Sequence, residues 1–301
     1  MKKLDSPLRY PGSKLSMAPL IARLLYLNDM TGRSFVETHT GSASVSLYLL
    51  NAGIVRSARL IEKDPLLYAF WKVVFEDTDA LIKKIKEIEV NMDTWHAMRH
   101  LLAVNSPADA DIIDLAFAGF FLNRTNFSGV LHAGPIGGIS QSSDYPIDCR
   151  YNKEMLCGRI RQVSTWHNKV EVVFGDAVQE LKSAVAENDH IYYVDPPYYA
   201  QGRKLYRFYY ELSDHAALAK ELRKLHAPWI LSYDDHHVIE HLYSGCTKFR
   251  VGAQYMVKSR KSINELIVTN LNPLDVADFE TLKGNFVLQS YSTDCHPSSL
   301  T

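Results

Sequence analysis

The stretch "FVETHTGSASV" (residues 35–45) carries the pattern that decides the fold class. It begins with apolar and aromatic residues typical of a buried strand. Small residues follow at Gly41, Ser42 and Ala43, and a helical pattern begins there. In a parallel sheet, such a turn lets the backbone approach a ligand at the carboxyl ends of the strands. The stretch therefore predicts a nucleotide-type pocket, although an ordinary tight strand–helix turn has a similar sequence.

Similar apolar, β-rich runs recur along the chain, and helical patterns separate most of them. The runs span residues 34–38, 58–63, 170–176, 191–195 and 229–234. One helical pattern begins near Lys14, and another, "LSDHAALAKELRKLH", has Ser213 or Asp214 as its predicted cap. Strands that alternate with helices predict a doubly wound α/β fold with a mainly parallel sheet covered on both faces.

The last two strand-like runs follow a different rule. "FRVGAQYMV" (249–257) and "INELIVTNL" (263–271) are separated only by "KSRKS". That linker is too short for a crossover helix, so the two strands should form an antiparallel hairpin. A mainly parallel sheet that ends in such a hairpin is typical of S-adenosylmethionine-dependent methyltransferases. It disfavours a dinucleotide-binding oxidoreductase, which the first turn alone would also allow.

The middle of the chain interrupts the alternation of strands and helices. Residues 76–165 are helical at first and then rich in Gly, Pro, Ser and Asn. A long loop within a compact protein is usually functional or disordered. We therefore predict an inserted, mainly helical recognition lobe over 76–165 and a main domain formed by 1–75 and 166–301.

Composition narrows the class of protein. The chain has 301 residues, is 47% hydrophobic and carries a net charge of −1, which suits a large globular core. No run reaches 18 apolar residues, and the first residues lack an apolar signal-peptide core, so neither a membrane span nor secretion is expected. The four cysteines and twelve histidines show no metal-binding spacing. A cytoplasmic protein without a metal is the expectation, either monomeric or dimeric.

The basic residues are unevenly distributed. From Lys248 to Lys261 there are five basic residues and no acid, and from Phe120 to Val170 there are six basic residues against three acids. A solvated face explains any one such run. Two runs in one chain predict a phosphate-binding surface, with Lys258, Arg260 and Lys261 in the hairpin turn as candidates.

The stretch "HIYYVDPPYYAQG" (190–202) is the strongest candidate for chemistry. Two prolines stop the strand and hold Asp195 and Pro196 stiffly at its end. The Asp195 carboxylate and the Pro196 carbonyl can accept the two hydrogens of an exocyclic amino group, which frees its lone pair for attack on a methyl group. Tyr198 offers a ring on which a base can stack. A plain strand terminator with exposed tyrosines is the alternative.

Three further acids lie at predicted strand ends. Glu62 comes roughly 20 residues after the first turn, where an acid can accept hydrogen bonds from ribose hydroxyls. Asp64 precedes Pro65 and has the pattern of a helix cap. Asp176 either accepts from an adenine amino group or caps the helix that follows it.

Four motifs together resemble a known family, the Dam-like DNA adenine-N6 methyltransferases of the Asp-Pro-Pro-Tyr class. "PLRYPGSK" (7–14) is similar to the family's N-terminal cofactor motif, and "FVETHTGSASV" to its glycine turn. "FLNRTNFSGVLHAGPIGG" is similar to part of its recognition lobe, and "YVDPPYY" to its catalytic motif. The order of the motifs matches as well, and the resemblance covers nearly the whole chain.

The resemblance implies the role of each site residue. Asp195, Pro196 and Tyr198 would hold a flipped-out adenine in double-stranded DNA, and Arg124 and Asn126 would contact the DNA. The implied S-adenosylmethionine contacts are Tyr10, Lys14, Phe35, Glu37, Gly41, Glu62 and Asp176.

One motif departs from the family pattern. After Glu37 the family has Pro-Phe and then Gly-x-Gly, whereas this chain has Thr38-His39-Thr40-Gly41-Ser42-Ala43. The departure supports one alternative, a weakly active or inactive DNA-binding protein that retains the fold. A second alternative is methylation of another planar amine or amide in RNA or protein. The target sequence, and whether the enzyme stands alone, comes from a phage or belongs to a restriction–modification system, are not given by the residues.

Overall fold

A computed structural model describes residues 5–184, 189–253, 263–274 and 286–292. The described residues form an eight-stranded sheet with helices on both faces, in the strand order β3-β2-β1-β4-β5-β7-β6-β8. The strands are β1 Ser34–Glu37, β2 Ser57–Glu62, β3 Val170–Phe174, β4 His190–Val194, β5 Trp229–Asp234, β6 Thr247–Ala253, β7 Ile263–Thr269 and β8 Phe286–Ser292.

Eleven α-helices connect and cover the strands in the described part of the chain. They are α1 Ala18–Leu27, α2 Ser44–Asn51, α3 Pro65–Glu76, α4 Thr78–Glu87, α5 Met92–His100, α6 Ile112–Thr125, α7 Lys153–Ser164, α8 Ala177–Ser183, α9 Gly202–Leu205, α10 Leu212–Lys224 and α11 His237–Leu242.

The sheet has the predicted mixture of directions. Strands β1 to β5 are parallel, β7 runs antiparallel to β5, and β6 and β7 pair as the predicted hairpin. Strand β8 pairs antiparallel with β6 and was not predicted. The chain leaves β1 towards β2 on one side, while β4 occupies the other side. The carboxyl ends of β1 and β4 therefore flank the crevice where such sheets bind ligands.

The two faces of the sheet bury alternate residues of each strand, as a pleated strand requires. Phe35 and Tyr193 belong to one buried cluster, and their rings stack with centroids 5.9 Å apart. Val36 and Tyr192, the neighbouring residues, belong to the cluster on the other face. Both faces of the central strands are covered, which confirms the predicted doubly wound arrangement.

The predicted lobe is mainly helical where it is described, with α4, α5, α6 and α7 inside 76–165. Its buried side chains join the cluster that covers the first face of the sheet. Phe120 of α6, for example, stacks on Phe70 of α3 with ring centroids 5.7 Å apart. The division of the chain into two domains stays a prediction.

Two element boundaries differ from the predictions. Lys14 begins a short 3-10 helix, Lys14–Ser16, and α1 starts only at Ala18. Helix α10 begins at Leu212 and is capped by Glu211, with which Asp214 forms a reciprocal capping box. The prediction of Ser213 or Asp214 as the cap was wrong, because Glu, although a less common cap, can complete the same pair of backbone hydrogen bonds.

Candidate active site

A pocket opens at the carboxyl ends of β1, β2 and β4, at the crevice that the strand order defines. The segment before α1, the turn after β1 and the chain between β4 and α10 form its walls. Six of the predicted site residues line it: Tyr10, Lys14, Glu37, Gly41, Glu62 and Asp195.

Asp195 follows the last residue of β4 and is held from two sides. Its Oδ1 atom accepts a hydrogen bond from Ser232 Oγ of β5 at 2.8 Å, and Lys14 Nζ lies 2.7 Å from the same oxygen. Burial raises the pKa of Asp195, whereas Lys14 and Ser232 counteract the rise. The carboxylate therefore has a fixed orientation at the edge of the pocket.

Lys14 is the centre of a buried polar cluster behind Asp195. Burial alone would lower its pKa, but Asp195 and Glu265 hold the pKa well above the usual range, so the ammonium stays charged. It also donates to Tyr198 Oη at 3.2 Å, and Tyr198 in turn donates to Glu265 Oε1 at 2.8 Å. Burial raises the pKa of Glu265 to about 7. The predicted catalytic motif, the N-terminal motif and β7 thus share one network.

The turn after β1 is bound to two buried carboxylates. Glu37 Oε2 accepts from the backbone N–H of Ser46 at 3.2 Å and from the Ser46 hydroxyl. Glu62 accepts from the N–H of Gly41 and from the N–H of Asp64, each at 2.9 Å. Burial raises the pKa of Glu37 to about 8 and that of Glu62 to about 7. Both carboxylates are therefore partly protonated near neutral pH.

Two glycines occupy positions where a tyrosine side chain lies too close for a Cβ atom. Gly41 has φ +47°, and a Cβ there would lie 2.7 Å from the ring of Tyr10. Gly12 has φ +77°, and a Cβ there would lie 2.8 Å from Tyr206 Oη. Ala43 also adopts a left-handed conformation, with φ 50° and ψ 22°, and is fully buried at the start of α2. Here the family's glycine is replaced by a residue that adopts this conformation only at a cost.

The residues Tyr206–Tyr210, here called the wall segment, complete the pocket. Arg207 pairs with Asp64 at 2.7 Å and donates to the Leu102 carbonyl at 2.7 Å. Tyr206 lies 5.8 Å from Tyr10, measured between ring centroids. The wall segment therefore connects the catalytic motif to the strand-end acids and to the helical region.

Several predicted site residues lie elsewhere. Phe35 is buried in the core against Tyr193 and does not line the pocket. Asp176 caps α8 by accepting from Val178 N at 3.0 Å, and it pairs with Lys63 at 2.7 Å. Pro196 is buried next to Asp195. Cofactor contacts by Phe35 and Asp176 stay predictions, and the structure gives each of them a structural role.

The predicted DNA residues Arg124 and Asn126 lie in the interior. The Arg124 guanidinium donates to the Arg150 carbonyl at 2.8 and 3.1 Å. Asn126 is fully buried, accepts from Trp95 Nε1 at 2.6 Å and donates to the carbonyls of Val130 and Leu131. Neither side chain is exposed at the surface, and their predicted contacts with DNA stay predictions. Lys258, Arg260 and Lys261 lie outside the described residues.

Sequence reasoning missed three important contributors. Glu265 is an acid inside the strand-like run "INELIV", and a single acid among apolar residues indicates a buried carboxylate with a specific partner. Asn123 holds both backbone groups of Arg9 in place and also donates to the Gly129 carbonyl. His39 lines the pocket, although the spacing of the histidines in the sequence indicates no role for it.

Two classes of feature are absent from the described ranges. No helix there is both long and apolar enough to cross a membrane. No group of three or more His, Cys, Asp or Glu side chains in those ranges is placed to hold a metal ion.

Comparison with known proteins gives one strong match. Residues 10–261 match the family described as D12 class N6 adenine-specific DNA methyltransferase. No curated protein matches the chain.

Three solved structures that resemble the chain are distant from it in sequence, each at 9% identity. A conserved hypothetical protein of Streptococcus pyogenes has a TM-score of 0.30, over 82% of this chain and 94% of that one. A protein of Legionella pneumophila has 0.36, over 97% and 99%. An rRNA methylase of Streptococcus thermophilus has 0.33, over 84% and 96%. These scores are too low to carry an argument.

Proposed function

Because the chain belongs to the D12 class of N6 adenine-specific DNA methyltransferases, we propose that it methylates adenine N6 at a specific site in double-stranded DNA, with S-adenosylmethionine as donor. The fold is that of the S-adenosylmethionine-dependent methyltransferases, with the sheet order described above. The observation that carries the proposal is Asp195, a carboxylate fixed at the end of β4 on the edge of a pocket.

The proposed chemistry at this corner follows from the acceptors present. The Asp195 carboxylate and the Pro196 carbonyl accept the two N6 hydrogens of the target adenine, so that the nitrogen lone pair leaves conjugation and points at the methyl group. Ser232 and Lys14 fix the carboxylate before the substrate arrives, and preorganised groups of this kind supply much of catalysis. When bound, S-adenosylmethionine would supply the methyl group and leave as the neutral thioether, and the proton that N6 loses would pass to solvent water.

The pocket fits the proposed donor by its own chemistry. It combines strand-end acids, a glycine turn that permits close approach, and the aromatic rings of Tyr10 and Phe208. When bound, the donor supplies an activated methyl group, which needs no metal. Glu62 presents a carboxylate at the end of β2 and so can accept from ribose hydroxyls. Lys14, whose charged ammonium also lines the pocket, is the proposed contact for the carboxylate of the donor.

A cluster of arginines supports the DNA part of the proposal. Burial lowers the pKa of Arg124 to about 10, and the nearby charges of Arg9, Arg159 and Arg150 contribute to the lowering. Arg150 is exposed, so the cluster presents positive charge at the surface of the helical region. Phe127, 71% exposed on the turn after α6, adds an aromatic ring to the surface of the same helical region. We propose that this surface contacts the DNA, with Arg124 and Asn126 supporting it from inside.

The sequence predicts a second, separable DNA contact at the basic residues Lys258, Arg260 and Lys261. Neutralising Lys258, Arg260 and Lys261 together should weaken binding to every DNA sequence and reduce the salt slope by up to about three. Replacing Arg150 should instead weaken methylation at cognate sites. A triple variant that binds DNA like the wild type across a salt series would remove the hairpin turn from the DNA face.

The direct test is single-molecule sequencing of DNA from cells that express the protein. The expected result is N6-methyladenine at one short recurring sequence, and none with Asp195→Ala expressed at the same level. Unmodified DNA, together with purified wild-type protein that binds DNA, would favour the non-catalytic alternative that the Thr38–Ala43 turn suggested. Methylated RNA or protein without methylated DNA would contradict the proposed substrate.

A further inference from the structure

His39 occupies the turn after β1 and makes two directional contacts inside the pocket. Its Nε2 atom lies 2.9 Å from Tyr210 Oη, and its Nδ1 atom lies 3.1 Å from Thr38 Oγ1. The His39 and Tyr210 rings meet edge to face, with centroids 5.6 Å apart at 69°. The histidine therefore links the cofactor turn to the last residue of the wall segment.

One arrangement of protons satisfies all of these contacts. Thr38 Oγ1 lies 3.4 Å from the Tyr193 carbonyl, which can only accept, so the Thr38 hydroxyl donates there. His39 Nδ1–H then donates to Thr38, and Nε2 accepts from the Tyr210 hydroxyl. Burial holds the pKa of His39 well below its usual range; nearby Asp176 opposes this, and Lys63 and His215 reinforce it. The ring is therefore neutral, as this arrangement requires.

Tyr210 lies at the end of the segment that begins at Asp195 and includes the wall segment. This segment is attached to the N-terminal motif at Tyr206, whose hydroxyl lies 3.4 Å from the Pro11 carbonyl, and to Asp64 at Arg207. Tyr210 fixes its far end, and the Tyr210 ring also packs on His215 of α10, with centroids 5.4 Å apart. Among the described contacts, the bond between His39 and Tyr210 is the one hydrogen bond that joins Tyr210 to the turn after β1.

We propose that His39 is a positioning residue that clamps the wall segment onto the cofactor turn and so shapes the donor pocket before the donor binds. The donor pocket itself rests on the proposed function. The clamp explains the unusual turn in part, because a phenylalanine, which the family resemblance places here, offers a ring but no hydrogen bond to Tyr210. The turn has lost the family's Gly-x-Gly pattern and gained a directional bond across the pocket.

A double-mutant cycle tests the clamp in the cofactor-free protein. His39→Phe keeps a ring and removes both hydrogen bonds, Tyr210→Phe removes one hydroxyl, and the double variant combines them. Hydrogen exchange of the backbone amides over 206–210 should become about 5- to 10-fold faster in each single variant, since a local anchor is lost. The double variant should exchange no faster than the His39→Phe single variant, because both changes break the same bond.

A matched control and a spectroscopic readout sharpen the result. Tyr209→Phe makes the same chemical change one residue away, at a partly exposed ring, and should leave exchange at the wild-type rate. Nitrogen-15 spectra should show His39 as the Nδ1–H tautomer, without titration between pH 5 and pH 8. Exchange at the wild-type rate in either single variant would overturn the clamp. So would effects that multiply in the double variant, or an Nε2–H tautomer of His39.

Binding separates this proposal from the proposed function. The dissociation constant for S-adenosylhomocysteine, measured by calorimetry, should rise about 5- to 10-fold in both single variants and stay near wild type in Tyr209→Phe. Equal binding by the single variants and the wild type would overturn the pocket-shaping role. A wild type that binds neither the donor nor its product would overturn the proposed function, and the exchange cycle would still decide the clamp.

Discussion

The corner after β4 and the turn after α6 each begin with a polar residue directly after a regular element, and they differ in the direction of that residue's polar groups. Asp195 at the first has its carboxylate at the edge of a pocket, whereas Asn126 at the second directs its amide into the interior. The partners differ accordingly. Asp195 is held by other side chains, whereas Asn126 is bonded to two backbone carbonyls and to Trp95. A polar motif marks a residue as important without saying whether its partner is a substrate or the protein itself.

Replacement of Asp195 is the strongest test of this comparison. Asp195→Ala should lower the rate of methyl transfer by on the order of 100- to 1000-fold, because a preorganised acceptor for the target amine is lost. Lys14 keeps Glu265 and Tyr198 as partners, so the fold should survive. Transfer of a labelled methyl group to DNA measures the rate, and calorimetry should find donor binding within a few-fold of wild type. Activity within a few-fold of wild type would end the assignment.

Asn126→Ala should show the opposite profile, a large loss of stability. Its amide satisfies one buried donor and two buried carbonyls, so removal should cost about 2 kcal/mol in the free energy of unfolding. Urea unfolding of the protein without DNA measures the loss. Asn105→Ala, at a more exposed asparagine bonded only locally to the Ala103 carbonyl, is the control, and we expect it to change stability little. Unchanged stability in Asn126→Ala would return this residue to the DNA-reading role.

The buried acids beside the corner predict a pH dependence. Glu37 has a pKa of about 8 in the folded protein, against an ordinary value of 4.5, so the folded state keeps a proton that the unfolded state releases between these pH values. Stability should therefore fall as pH rises from about 5 to 8. Glu37→Gln should remove up to a few kcal/mol of that fall, because each unit of pKa difference corresponds to about 1.4 kcal/mol. Urea unfolding at several pH values measures it, and Glu76→Gln, at an exposed acid of α3, should leave the slope unchanged.

The smallest expected effect is at Ala43, in the turn after β1. Ala43→Gly should stabilise the protein by about 0.5–1 kcal/mol, because relief of the left-handed conformation outweighs the extra chain entropy of glycine. Ala52→Gly, at an ordinary right-handed residue after α2, should destabilise it by a similar amount. Thermal unfolding compares the two. A destabilised Ala43→Gly variant would mean that the Ala43 methyl group contributes more by packing than its conformation costs.

Much of the fold was readable because its signals are periodic and local. Alternating strand and helix patterns predicted the parallel strands, and a five-residue linker predicted the β6–β7 hairpin. The corner at Asp195 was readable because two prolines follow it. The interior position of Arg124 was harder to predict, although α6, "IIDLAFAGFFLNRT", is apolar on nearly every side, which indicates a buried helix. The partners of Arg124 are carbonyls distant in sequence, and a single-sequence pattern carries no record of them.

The hydrogen bonds between Asn123 and the backbone of Arg9 have a consequence for the synthesis of the protein. The two residues are 114 positions apart, and Gly129 closes over the same point, where a Cβ would lie 2.1 Å from the Arg9 carbonyl oxygen. A ribosome adds residues at about 5–20 per second, so the N-terminal motif waits on the order of 10 s for the segment that holds it. Strand β4, which pairs with β1, emerges later still. The nascent chain therefore cannot assemble the pocket in the order in which its motifs are translated.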